Sequence, residues 1–217
     1  MKKTIALLLA LCVLVGLAGG AFAQTDYTGL WKVSMIAGSD GNPSPVADIP
    51  MIMEIAADGT AVLTLDGHGK ECTWAVSENG ITLTDAAGST GEFPYVNNML
   101  VYQIPGGAFY FARESDEPLS AEKFLGEWLN TSVEMGIYII DPIASGRNFS
   151  VTLAEEGKAV FTIDGAKEDG SWTVVAADTI LLIDGSGAAK VLTYADDILS
   201  VEEEGILMIF TRMTENK

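Results

Sequence analysis

The chain has 217 residues with 12 Lys+Arg, 30 Asp+Glu and one His, a net charge of −18, and 48% apolar side chains. That acidic surplus excludes nucleic-acid binding, which needs Lys and Arg to neutralise phosphates, and it disfavours anionic membrane surfaces. The apolar share is ample for a packed core, and its one long apolar run lies at the N-terminus, so no membrane span is expected.

Residues 1 to 23 read as an export signal. Lys2 and Lys3 give a cationic start, Ile5 to Ala18 is apolar, and Ala21-Phe22-Ala23 supplies the small residues of a cleavage site after Ala23. Position 20 is Gly20 and not Cys, so no lipid anchor is expected. Cleavage leaves ten basic against thirty acidic side chains, a net charge of −20, and Cys72 as the last cysteine. A lone thiol closes no internal disulfide, so an exported chain of this kind must rely on its core.

The remainder is two copies of one unit. At an offset of 97 to 99 residues, Gly29 and Trp31 fall on Gly126 and Trp128, and Met53–Gly67 falls on Val151–Gly165. Trp74 then falls on Trp172, Asp85 on Asp184, Leu100 on Leu199, Phe111 on Phe210 and Arg113 on Arg212. Two homologous domains are expected, 25–114 and 121–214. They are joined by the acidic linker Glu114, Asp116, Glu117 and Pro118 and by one helical turn from Ser120 to Leu125, with Ser120 as its cap.

Within each copy the apolar period is two. Ala61, Leu63 and Leu65 alternate with Val62 and Thr64, as Ala159, Phe161 and Ile163 alternate with Val160 and Thr162. Turn dipeptides recur every 8 to 12 residues: Asp58-Gly59, Asp66-Gly67, Asn79-Gly80, then Glu156-Gly157, Asp164-Gly165 and Asp184-Gly185. The fold class is all-β, and each copy reads as an antiparallel meander of about eight strands of about six residues.

An opening Gly-x-Trp, a run of hairpins and a last strand ending in Arg resemble the lipocalin-like (calycin) pattern. The resemblance implies two tandem, small, antiparallel up-and-down β-barrels. It also implies structural roles for Gly29, Trp31 and Arg113 and for Gly126, Trp128 and Arg212, each Arg lying over its Trp at the closed end. Copies of about 90 residues are short for that family, so each barrel is either filled by its own side chains or holds one small ligand. The four tryptophans are expected in the core.

The two copies differ most after their first strands. Met35 to Pro50 is rich in Gly, Pro and Asp and reads as a polar loop. Thr131 to Asn148 carries Met135, Ile137, Tyr138, Ile139, Ile140 and Arg147. By resemblance this connection lies over the open mouth, where Met135, Tyr138, Ile139 and Arg147 are candidate ligand contacts for a small amphipathic acid. The alternative is that Ile137 to Ile140 cover the interface between the domains.

Catalytic groups are few. His68 and Cys72 stand four apart, but the second copy has no His and places Gly170 opposite Cys72, so no catalytic residue is expected. No cofactor and no metal are expected, since the chain has too few His and Cys ligands and no Asp-x-Asp-x-Asp-Gly loop. The acid surplus is densest in Glu202-Glu203-Glu204, a solvated hairpin or a docking site for a basic protein partner. The sequence therefore reads as a secreted bacterial binding module for a small apolar or amphipathic ligand, or as a protein-interaction or adhesion scaffold with solid barrels, and not as an enzyme.

Overall fold

Alternating side chains and tight turns yield eighteen strands among the residues that the computed structural model describes, 25–46, 49–115 and 119–213. The expected export signal, most of the acidic linker and position 214 lie outside them. The first half carries β1 (Gly29–Ala37), β2 (Pro43–Pro45), β3 (Met51–Ile55), β4 (Thr60–Leu65), β5 (His68–Val76), β6 (Gly80–Asp85), β7 (Thr90–Val96), β8 (Met99–Ile104) and β9 (Gly107–Arg113). The second repeats the series as β10 (Gly126–Met135), β11 (Tyr138–Ile140), β12 (Phe149–Leu153), β13 (Lys158–Ile163), β14 (Ala166–Ala176), β15 (Thr179–Ile183), β16 (Ala189–Ala195), β17 (Ile198–Glu203) and β18 (Ile206–Arg212).

Each half is an antiparallel meander closed on itself. β1 pairs with β3 on one side and β9 on the other, and β10 does the same with β12 and β18, so two eight-stranded barrels stand in tandem. Closure abolishes the open sheet edge, and a bulge in the first strand of each barrel, between Val33 and Met35 and between Asn130 and Ser132, supplies the bend. β2 and β11 are short ribs paired only with the far ends of β1 and β10. Four strands, β1, β5, β10 and β14, run to 9–11 residues, longer than the expected six.

Six hairpins contain two consecutive residues at positive φ: Asp66-Gly67, Asn97-Asn98, Glu156-Gly157, Asp164-Gly165, Asp196-Asp197 and Glu204-Gly205. Such turns match the right-handed twist of the strands they join. Asn79-Gly80 departs from the expected pattern: Gly80 takes φ 158°, and a Cβ there would come within 2.2 Å of the Phe93 carbonyl oxygen. Its role is close approach to β7. The helical turn is a 3₁₀ turn, Glu122–Phe124, whose cap falls on Ala121, one residue later than expected.

Three clusters hold the molecule. One fills the first barrel around Trp31, Met53, Ile81 and Phe111, and another fills the second around Trp128, Val151, Ile180 and Phe210. The third lies between the barrels, where outward Met35, Met99 and Ala112 of the first meet Val175, Ala176 and Leu181 of the second. Thr179 Oγ1 also donates to the Asn97 carbonyl across this junction at 3.2 Å. The contact is heterologous, using different faces of two similar barrels. Ile137 to Ile140 take no part in it. They form the exposed β10–β11 hairpin, which corrects the expectation that they cover the interface.

Candidate functional site

At one end of each barrel the Gly-x-Trp builds a plug. Trp31 pairs in register with Arg113 and Trp128 with Arg212. The guanidinium carbon sits 5.9 Å from the Trp31 ring centre in the first barrel and 4.3 Å from that of Trp128 in the second, within cation–π range. Arg113 also donates to the Thr28 carbonyl, and Arg212 to the carbonyls of Leu125 and Lys123. Gly29 and Gly126 both take φ near +122°, and a Cβ on either would lie 3.1 Å from an arginine nitrogen. Positive φ and the passing arginine therefore both require glycine there.

The plug has parts that the sequence reading passed over. Trp31 Nε1 donates to the Tyr27 carbonyl at 2.9 Å, and Trp128 Nε1 to the Phe124 carbonyl at 2.8 Å. Tyr27 and Phe124 each stand edge-on to a second aromatic, Tyr95 or Tyr194, at 5.4 and 5.6 Å. Both pairs keep the 97 to 99 offset, so extending the self-comparison to aromatics four residues before each Trp would have found them. Trp74 and Trp172 tie down the β3–β4 and β12–β13 turns through the carbonyls of Ala56 and Ala154.

The opposite ends are the mouths, and here the copies diverge. In the first barrel Ile36, Val46 and Ile49 pack onto the core, and Phe93 stacks on Tyr102 with ring centres 4.9 Å apart. The remaining cleft, about 140 Å³, touches β4 to β8 and contains the Lys70–Asp85 ion pair at 2.6 Å. In the second barrel no residue of 131–148 packs onto the core cluster. Leu192 and Val201 replace Phe93 and Tyr102, while Phe161 replaces Leu63 and Gly170 replaces Cys72. A Cβ on Gly170 would lie 2.6 Å from the Phe161 ring, so the larger and smaller residues compensate each other. What remains is an axial cavity of about 170 Å³ walled by side chains from every strand from β12 to β18, chiefly Phe149, Phe161, Leu182, Leu192, Met208 and Phe210.

Met135, Tyr138, Ile139 and Arg147 stand at this end of the barrel, yet none lines the cavity. Ile137, Tyr138 and Ile139 are 91%, 68% and 73% exposed, and Arg147 is held by Asp164 at 2.8 Å. The polar-looking connection of the first copy covers its barrel, whereas the apolar one of the second stands away. Val46 and Ile49, which follow β2, pack onto the first core. The β10–β11 ribbon carries its isoleucines outward on a two-stranded arm, where alternation exposes both faces.

His68 and Cys72 open no chemistry together. They lie four residues apart on the regularly paired β5, about 13 Å along an extended strand. Cys72 is held as a thiol, because burial pushes its pKa up. Asp85 and Asp184 both cap the turn that follows them. Oδ1 of Asp184 accepts from Ser186 and from the Ala188 N–H at 2.6–2.9 Å, and these bonds hold its carboxyl below the usual carboxylate range. Three larger concavities, of about 470, 490 and 300 Å³, lie over β4–β6, beside Leu119, Leu125 and Trp172, and where Lys32 and Ala112 of the first barrel face Val175 and Ala176 of the second. Among the described residues no cluster of three His, Cys, Asp or Glu could hold a metal, and no helix is long and apolar enough to cross a membrane.

Fold and geometry define the class: two closed eight-stranded antiparallel barrels in tandem, each with one plugged end and one mouth. No family model, curated protein or solved structure matches the chain.

Proposed function

We propose that this protein is an exported, lipocalin-like binding module whose second barrel takes one small apolar or amphipathic ligand in its mouth. The observation that carries this reading is the axial cavity between β12 and β18, left open where the first barrel is covered by its own connection and its stacked aromatics. A volume of about 170 Å³ suits a single ring or a chain of about five or six carbons, since an apolar cavity of ~150 Å³ takes benzene. The binding is non-catalytic, and the first barrel, whose cleft is occupied by the Lys70–Asp85 pair, is the partner that orients the second. Export rests on residues 1 to 23, and N-terminal sequencing of protein from the medium or envelope is expected to begin at Gln24; a retained Met1 would end that part of the reading.

A neutral single-ring probe whose emission rises in apolar surroundings, 4-(dimethylamino)benzonitrile, is small enough for this cavity and is expected to brighten with the protein. Leu192→Phe with Val201→Tyr, which installs the first barrel's stacked pair in the second, should abolish the gain at an unchanged melting temperature. Undiminished emission in that double variant would overturn the reading. Emission lost instead on Ile137→Ser with Ile139→Ser would move the contact to the exposed hairpin. That outcome favours the second reading, a protein-interaction scaffold, which the exposure of Ile137, Tyr138 and Ile139 supports and for which the acidic surface suits a basic partner.

A further inference from the structure

The first barrel holds an ammonium at its own mouth. Lys70 reaches from β5 to the Asp85 carboxylate at 2.6 Å, and the lysine stem lines a cleft shared with Leu83, Phe93 and Tyr102. Lys70 is, in effect, a tethered butylammonium: a cationic head on a carboxylate and a short alkyl chain beside an apolar wall. In the second barrel the carboxylate is retained and its cation is gone. The repeat places Asp184 where Asp85 stands and Glu168 where Lys70 stands, and both line the mouth.

Among the described residues no cation pairs with Asp184 or Glu168. Lys190, the one cation on the lining, is paired with Glu203, and Arg147 is paired with Asp164. Asp184 uses Oδ1 for its turn, and no ion pair reaches Oδ2 among the described residues. Glu168 makes no ion pair there either. Its Oε1 lies where a Cβ on residue 185 would be only 2.7 Å away, so Gly185 leaves room for this carboxylate beside the Asp184 turn. Two carboxylates thus flank an apolar cavity at its solvent-facing rim, where their attraction for a cation weakens with salt.

We infer that the ligand of the second barrel is a small organic cation, an amine or quaternary ammonium bearing a short apolar chain or ring, with its head between Glu168 and Asp184 and its tail among Phe149, Phe161 and Phe210. This inference rests on the binding-module reading and specifies its ligand class. It reverses the expectation of an amphipathic acid, because Arg147, the residue that suggested an anion, is already neutralised. The phenyl faces add a cation–π attraction for a head that sits low in the mouth.

The test is calorimetric titration of the full chain with n-hexylammonium, 1-hexanol and hexanoate. The expected order is hexylammonium about tenfold tighter than hexanol, with hexanoate weakest, and a preference that weakens as salt rises. Glu168→Lys, which restores the first barrel's residue at an exposed position, is expected to erase the preference for hexylammonium while hexanol binds as before. Equal binding of all three, or a preference that survives Glu168→Lys, overturns the cation inference and leaves the binding module standing. Failure of all three to bind overturns the module itself.

Discussion

Trp128→Ala is expected to unfold the second barrel at far lower denaturant, at a cost of about 3 to 5 kcal/mol. Trp128 is fully buried, hydrogen-bonded to Phe124, covered by the Arg212 guanidinium and edge-on to Tyr194 at 6.1 Å. Truncation therefore removes a large apolar surface, orphans the Phe124 carbonyl and strips the arginine of its platform. For a domain whose whole stability is of order 5–15 kcal/mol, that loss consumes much of the margin. The first barrel has its own core and should keep its own transition, so urea unfolding followed by circular dichroism should split into two steps. A variant whose midpoint matches the parent would show that the plug does not hold the barrel.

Leu181→Asp should part the barrels without melting either. Leu181 is fully buried in the cluster between them, facing Met35, Met99 and Ala112 from the outer surface of β15, so its replacement sets an unpaired carboxylate in an apolar junction. Keeping that charge buried would cost several kcal/mol, and an interface that carries no barrel's core can escape the penalty by opening. Small-angle scattering should report a larger radius of gyration, while the β-sheet spectrum persists. An unchanged radius would mean that the junction tolerates water or is held elsewhere, for instance through Thr179 and Asn97. The same positions on the first barrel are Thr82, Thr84, Thr90 and Glu92 in place of Leu181, Ile183, Ala189 and Val191. That polar face cannot repeat the contact.

The division of labour between chain and fold can be read residue by residue. Period-two alternation, dipeptides suited to positive φ, and a repeat that holds Trp and Arg at constant spacing are local or pairwise facts, so strands, hairpins and the duplication were legible before any coordinates. Trp31 with Arg113 and Trp128 with Arg212 meet because antiparallel closure brings the first and last strands of a meander together whatever fills the middle. Even the hidden members of the plug, Tyr27 and Phe124, kept the repeat's spacing and were missed only because the comparison began at the glycine. Composition failed at the mouths. A connection rich in Gly and Pro covers its barrel through Val46 and Ile49, while one rich in isoleucine stands in solvent. Whether a side chain is buried there depends on where the chain turns back, and the room inside depends on volumes exchanged between distant strands, as Phe161 with Gly170 and Leu192 with Val201 exchange theirs against the first barrel. The amino-acid sequence by itself determined two copies of an all-β meander, because alternation and turn chemistry act over a few residues. Only the tertiary structure decided which connection covers its mouth, which faces adjoin and which side chains line each cleft, because packing is settled among residues that the chain keeps far apart.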